Sequence, residues 1–303
     1  MRALVTGGAG FIGSHLVDAL VARGDSVLVL DDLSTGRTEN LNAAATLAEG
    51  DVRDGAAVDA AFAELDPEVC FHLAAQADVR ASVEDPVRDS EINTIGTIRV
   101  LEAARRHGTQ VVFSSTGGAI YGECAEPAPE TAPRQPLSPY GTSKLASEEY
   151  IAAYGRLYGT THVALRYANI YGPRQDPHGE AGVVAIFLGA LAREEQARIF
   201  GDGRQTRDYI YAGDVARATL SALGQDGGVF NVGTGRETSV VELYELCARV
   251  AGSDTQAEHA PARLGELQRS FLNPELAARE LGFTAMVELE DGLRATWDWI
   301  QKE

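Results

Sequence analysis

The strand-to-helix junction at the amino end constrains this chain more than any other feature. Residues 2–6 are largely apolar. Gly7, Gly8 and Gly10 follow with only Ala9 between them, and an amphipathic pattern opens at Phe11 and runs through Ile12 and Gly13 to about residue 23. Glycine tolerates a left-handed backbone and puts no side chain over the turn, so main-chain amides and the positive end of the helix face outward as a seat for a pyrophosphate. Gly13 lets the helix approach the sheet closely. A second strand over 26–30 ends at Asp31, 18 residues beyond Gly13. A carboxylate at that edge accepts hydrogen bonds from an adenosine ribose and repels a 2′-phosphate, so the pattern predicts a dinucleotide seat that prefers NAD to NADP.

The rest of the chain keeps the rhythm this opening sets. Strand-like runs at 3–6, 26–30, 69–73, 111–114 and 162–165 alternate with helical patterns at 11–23, 55–65, 86–107 and 139–158. Such alternation predicts an α/β fold: a Rossmann-type doubly wound parallel sheet, covered on both faces, with ligands at the carboxyl ends of its strands. Beyond about residue 166 the pattern becomes mixed, with helices expected over 183–193, 240–250, 274–281 and 288–301 and strands over 208–211 and 229–232. We therefore expect a dinucleotide-binding domain over 1–166, rejoined by the chain around 208–232. A smaller mixed C-terminal lobe over 167–303 would mainly hold the substrate.

Composition narrows the partners. The 303 residues carry 26 Lys plus Arg against 44 Asp plus Glu, a formal charge of −18, which repels nucleic acid and anionic membranes over most of the surface. An anionic ligand must then be held by local donors. Cys70, Cys124 and Cys247 are far apart and show no paired ligand spacing, so neither a disulfide framework nor a metal site is expected. Residues 1–6 enter a strand without a leader pattern, and no run of about 18 apolar residues follows, so the reading predicts a soluble, cytoplasmic protein.

Candidate cofactor contacts continue along the strand ends. Asp32 and Ser34 stand beside Asp31, the Asp51-Val52 pair follows a third strand at the adenine position, and Leu73, Ala74, Ala75 and Gln76 close the fourth strand with mostly small side chains. Asn93, Ser114, Tyr140, Lys144 and Tyr167 complete the expected set, with Lys144 expected to bond the nicotinamide ribose. The chemistry centres on Ser138-Pro139-Tyr140-Gly141-Thr142-Ser143-Lys144. Ser138 suits an N-cap and Pro139 a first helical position, so Tyr140 and Lys144 share a helix face in the opening turns. An alcohol oxidised by NAD must lose its hydroxyl proton, and a phenol of ordinary pKa about 10 takes it only if phenolate is stabilised. The Lys144 ammonium, the helix terminus and the nicotinamide charge are expected to lower it.

With the glycine loop, His72-Leu73-Ala74-Ala75, the Tyr140 to Lys144 pair and Arg166-Tyr167-Ala168-Asn169-Ile170-Tyr171-Gly172-Pro173-Arg174 on the page, the chain resembles the extended short-chain dehydrogenase/reductase superfamily. Within it, residues 172–182 are most similar to those of UDP-glucose (UDP-galactose) 4-epimerases. The resemblance runs from Met1 to about Gln301. It implies a hydroxyl partner for Tyr140 at the end of the fifth strand, Thr116 or, one residue earlier, Ser115. It also implies substrate diphosphate contacts from Asn169, Arg207 and Arg263, and a homodimer built on the helices over 86–107 and 139–158. Arg174 and His178 are weaker candidates for ligand contact.

The implied reaction interconverts UDP-glucose and UDP-galactose through a 4-keto sugar that turns before hydride returns. A UDP-N-acetylhexosamine or UDP-uronic acid stays open as substrate. A 4,6-dehydratase needs carboxyls after the Thr, where Gly117 and Gly118 stand. A reductase that releases its cofactor, and a non-catalytic NAD-sensing scaffold, are the remaining readings.

Overall fold

The computed structural model describes residues 1–177, 182–262 and 267–302. Seven strands form one sheet: β1 (Arg2–Thr6), β2 (Ser26–Asp31), β3 (Thr46–Glu49), β4 (Val69–His72), β5 (Gln110–Thr116), β6 (Val163–Tyr167) and β7 (Gly228–Val232). Their spatial order is β7-β6-β5-β4-β1-β2-β3, and every neighbouring pair is parallel. Side chains alternate between the faces as the pleat demands. Ala3, Val5, Val27 and Val29 enter one core, and Leu4, Leu28 and Leu30 enter the other.

Helices α1 (Phe11–Ala22), α2 (Gly55–Leu65), α3 (Gly96–His107) and α4 (Pro139–Tyr158) cross between strands. From α1, Leu16, Val17 and Leu20 pack into the first core; Phe62 of α2, Val100 and Leu101 of α3 and Ile151 of α4 pack into the second. The expected Rossmann-type sheet is therefore what the chain forms. The strand order reverses between β1 and β4, and a crevice opens at such a switch point on the carboxyl side.

The chain leaves the sheet after β6 and returns at β7. Helices α5 (Val183–Ala192), α7 (Val240–Ala251) and α8 (Leu289–Ile300) build a separate core around Phe187, Leu188, Leu243 and Leu293. Between α5 and α7, helix α6 (Ala212–Ser221) packs with α1 on the sheet through Val215 and Ala218. Small sheets decorate this half: Asn169–Tyr171 pairs with Tyr209–Tyr211, and Thr206–Arg207 lies between Thr238–Ser239 and Arg269–Ser270.

Three local departures from the sequence reading have physical reasons. The strand expected over 208–211 divides at Asp208, whose buried carboxylate accepts from the Thr234 amide and hydroxyl and the Gly235 amide. Helix Val79–Glu84 exists because Asp78 caps it, accepting from the amides of Arg80 and Ala81. The helix expected over 86–107 starts at Pro86, but Glu91–Ile95 is a π turn that joins Pro86–Ser90 to α3. Among the described residues no helix is long and apolar enough to cross a membrane.

Candidate active site

The glycine loop rests directly on the end of β4. Gly7 sits at φ +71°, and a Cβ there would come within 2.6 Å of the Ala74 amide nitrogen. A Cβ on Gly13 would overlap the Gly7 carbonyl oxygen, so only glycine lets α1 start this close to the loop. Gly10 is different: among the described residues its missing Cβ would meet only the Gly7 oxygen, at 3.3 Å. The first turn of α1, with Phe11 and Ile12, carries neither a side-chain cap nor an acidic residue. Backbone amides and an uncancelled dipole thus front an open space, and this cradle fits a dinucleotide pyrophosphate.

Asp31 ends β2 with 6 % of its surface exposed. Burial raises its pKa, while the amides of Leu33 and Ala9, each 2.9 Å from one carboxylate oxygen, oppose the rise. Each oxygen keeps acceptor capacity toward the crevice, because a carboxylate offers about four lone-pair sites. Asp32 forms a local turn with the amide and hydroxyl of Ser34. The Asp51 carboxylate is held well below the usual range by hydrogen bonds from Arg53, and the buried Val52 packs under Gly96.

At the end of β4 a buried polar relay fixes the strand's exit. The Ala74 amide donates to Thr6 Oγ1 at 3.2 Å, Thr6 donates to His72 Nδ1 at 2.7 Å, His72 Nε2 donates to Thr97 Oγ1 at 3.0 Å, and Thr97 donates to the Asn93 carbonyl at 2.5 Å. This tautomer is the one that lets every hydroxyl both give and receive. Burial, aided by Lys144, pushes His72 down to about 3, so the ring stays neutral. The Leu73 amide donates to the Thr6 carbonyl, and the Gln76 amide donates to Asn93 Oδ1 at 2.9 Å, with Ala75 between them.

Tyr140 and Lys144 occupy the first two turns of α4. Ser138 caps the helix by accepting from the Gly141 amide at 3.1 Å, and a Cβ on Gly141 would come within 2.5 Å of the Ala119 carbonyl oxygen. The helix start is therefore pressed against the turn after β5. The buried Lys144 amine donates to the Ser114 carbonyl at 2.8 Å and sits 4.7 Å from the Phe113 ring centre. Burial pushes Lys144 down to about 7, against the opposing charges of Asp89 and Glu148.

The two candidate hydroxyls part company here. Thr116 lies beside the Tyr140 phenol and acts to lower its pKa, whereas Ser115 donates to Glu148 Oε1 at 2.5 Å, and Glu148 forms a buried ion pair with Arg166 at 2.6 Å. Ser115 thus belongs to a structural network beneath the strand. The lowered phenol expected from sequence is not met by the chain's own groups. Burial pushes Tyr140 up to about 12, with Thr116 opposing and Asp89 adding to the rise.

Other residues fall around this centre. The Tyr167 phenol is buried against Thr219 Oγ1 at 2.8 Å, facing the core, so only its main chain remains for a ligand. The Asn169 side-chain oxygen lies beside Gly118, where a Cβ would approach it to 3.2 Å. The partly buried Arg207 lies on the middle strand of its small sheet, and its guanidinium donates to the Thr206 carbonyl at 2.7 Å. Arg174 is tied to Asp18 at 2.6 Å. Arg263 and His178 lie outside the described residues. Sequence reasoning overlooked Asp89, Ser143 and Glu148, although Asp89 stands four residues before Asn93, a helical spacing that puts both on one face.

Residues 3–233 match the model of the NAD dependent epimerase/dehydratase family. A UDP-glucose 4-epimerase of Mycolicibacterium smegmatis is 47 % identical over 311 residues, covering 100 % of this chain and 99 % of the relative. The UDP-glucose 4-epimerase of Thermotoga maritima, solved with UDP-glucose, superimposes with a TM-score of 0.97 at 47 % identity, covering 100 % of this chain and 99 % of the other. That of Thermus thermophilus, solved with NAD, gives 0.95 at 47 % identity, with 99 % of each chain covered.

Proposed function

The chain belongs to the NAD dependent epimerase/dehydratase family, and from that premise we propose that it is an NAD-dependent 4-epimerase of UDP-hexoses, interconverting UDP-glucose and UDP-galactose through a transient 4-keto sugar. The observation that carries the reading is a phenol beside the Thr116 hydroxyl, one helical turn from an amine held on the Ser114 carbonyl. Both stand where the sheet's strands end beside the glycine cradle.

Roles are assigned accordingly. The backbone of Gly7, Gly10, Phe11, Ile12 and Gly13 receives the pyrophosphate of the cofactor. Asp31, with Asp32 and Ser34, takes the adenosine ribose, and Asp51 and Val52 border the adenine. Leu73, Ala74, Ala75 and Gln76, with Asn93, Ser114 and the Tyr167 main chain, border the nicotinamide half. Residues 1–166, rejoined around 208–232, are the cofactor domain, and 167–303 mainly the substrate lobe.

NAD, when bound, supplies a reversible hydride acceptor and a positive ring charge beside the phenol. Tyr140 takes the proton of the sugar 4-hydroxyl and later returns it to the same oxygen, once the keto sugar has turned to present its other face. Thr116 hydrogen-bonds the same oxygen, and the Lys144 ammonium stabilises the phenolate. Asn169, Arg207 and Arg263 anchor the substrate's diphosphate while its sugar turns.

The glycines after Thr116 argue against dehydration. A Cβ on Gly117 would come within 2.5 Å of Leu272, and one on Gly118 would crowd Asn169, so no carboxyl stands there to expel water. The three buried thiols support a protein of a reducing cytoplasm, and the proposed interconversion would place it in galactose metabolism. Exposed apolar side chains on helices 79–90 and α4 support a homodimer.

The purified enzyme, given UDP-galactose and trace NAD, should yield UDP-glucose on nucleotide-sugar chromatography without net NADH. Tyr140→Phe should lose turnover by roughly 10³-fold and still retain NAD, because only the proton carrier is removed. Stoichiometric NADH release, or near-normal turnover in the variant, contradicts the assignment.

A further inference from the structure

A buried carboxylate that the proposed chemistry does not use lies against the Tyr140–Lys144 helix. Asp89 is 0 % exposed. Its oxygens accept from Ser143 Oγ at 2.6 Å, Gln76 Nε2 at 3.0 Å and Asn93 Nδ2 at 3.1 Å. These three donors are neutral. Glu148, the other buried carboxylate near Lys144, is by contrast neutralised by Arg166. A buried charge that, among the described residues, accepts hydrogen bonds only from neutral donors is costly, and such a group persists where it serves a purpose or is locked by its surroundings.

The surroundings are built for it. The π turn Glu91–Ile95 begins two residues after Asp89 and carries Asn93, which is 1 % exposed. Asn93 grips the Gln76 main chain from both sides, accepting from its amide and donating to its carbonyl, each at 2.9 Å. Gln76 in turn reaches Asp89. A π turn interrupts regular helical spacing and often marks a functional site. Ser143, which donates to Asp89, directly precedes Lys144 in the chain.

We propose that Asp89 is a positioning residue that sets the protonation balance of the Tyr140–Lys144 pair, by fixing an unneutralised negative charge beside that pair. The inference rests on the proposed roles of Tyr140 and Lys144. The groups around Lys144 are few. Neutral His72 comes from β4 and the Ser114 carbonyl and Phe113 ring from β5; Tyr140 and Glu148 share its helix, with Arg166 of β6 on Glu148. Asp89 comes from the helix Pro86–Ser90.

Asp89 acts on both members of the pair in one direction. Its charge favours the ammonium of Lys144 and disfavours the phenolate of Tyr140, so it raises both pKa values. Neutralising it lowers both. Activity that needs the ammonium is then lost earlier as pH rises, and activity that needs the phenolate is gained earlier. Whichever group gives whichever limb, the whole bell moves toward acid.

The test is kcat against pH for UDP-galactose conversion by the NAD-loaded enzyme. Asp89→Asn should displace both limbs downward by about half a pH unit or more. Asp89→Ser, a smaller neutral replacement, repeats the measurement should the first variant fold poorly. Ser143→Ala breaks the same network without changing its charge, and its profile should keep its position. An unshifted profile in Asp89→Asn or Asp89→Ser, or an equal shift in Ser143→Ala, overturns the inference. Tyr140→Phe run alongside separates the two claims: normal turnover there defeats the roles of the pair, whereas an inactive Tyr140→Phe with an unshifted Asp89 variant defeats this inference alone.

Discussion

Ser115 and Thr116 are neighbours on β5, and the pleat sends their hydroxyls to opposite sides. Thr116 meets the phenol, while Ser115 serves the buried Glu148–Arg166 pair. Sequence alone left both open, because hydroxyl chemistry is identical and only the strand's register decides which face each takes. The two roles separate by measurement. Thr116→Ala should lower kcat by roughly ten- to a hundredfold with little change in melting temperature, as loss of one proton-handling hydroxyl does. Ser115→Ala leaves Glu148 short of a donor and should cost about 1–3 kcal/mol of stability, with turnover nearly kept. A greater loss of turnover in Ser115→Ala at matched stability would reverse the assignment. Asp89 was illegible for a related reason: nothing in a string of residues marks which carboxylate on a helix will be sealed from water.

At the level of elements, the strand-glycine-helix opening was readable because its physics is local. Loop and helix lie within residues 2–22, and each glycine answers to an atom nearby in space. The same holds for α4, announced by Ser138 and Pro139. The π turn at Glu91–Ile95 was not readable, since its residues fit an ordinary helical pattern and the extra residue per turn is accommodated by partners beyond the end of β4 and on α4. By contrast β3, at Thr46–Glu49, has little apolar signal of its own and was expected only as the strand before Asp51-Val52; its pairing with β2 fixes it. The junction's local logic carries a prediction. Gly13→Ala puts a methyl into the Gly7 carbonyl, so α1 must draw back and the amides lose their aim at the pyrophosphate. The variant should fold and yet retain at least about tenfold less NAD through purification, read from released nucleotide, because misplaced donors forfeit preorganised binding. Full NAD retention would show that the close approach is dispensable.

The whole molecule poses a problem that no single element shows. A chain of charge −18 repels its own copy, yet the helix Pro86–Ser90 and α4 present Val87 and Leu157 at 66 % and 71 % exposure, with Val83, Tyr150 and Tyr158 also open to solvent. The proposed homodimer resolves this if apolar burial across these helices outweighs a repulsion that salt screens. Two consequences follow in sedimentation experiments. Lowering ionic strength well below 0.1 M, where the Debye length grows beyond about 10 Å, should shift the equilibrium toward monomer. Val87→Asp combined with Leu157→Asp should yield monomer at physiological salt with an unchanged circular dichroism spectrum, since both side chains already face water and the fold loses no core contact. Tyr140 and Lys144 are set by the Ser138 cap and the Ser114 carbonyl of their own chain, so this monomer should keep measurable epimerase turnover. A double variant that still sediments as a dimer would move the interface elsewhere on the surface. A monomer that is folded but inactive would mean that the pairing of chains holds α4, and with it Tyr140 and Lys144, in working order.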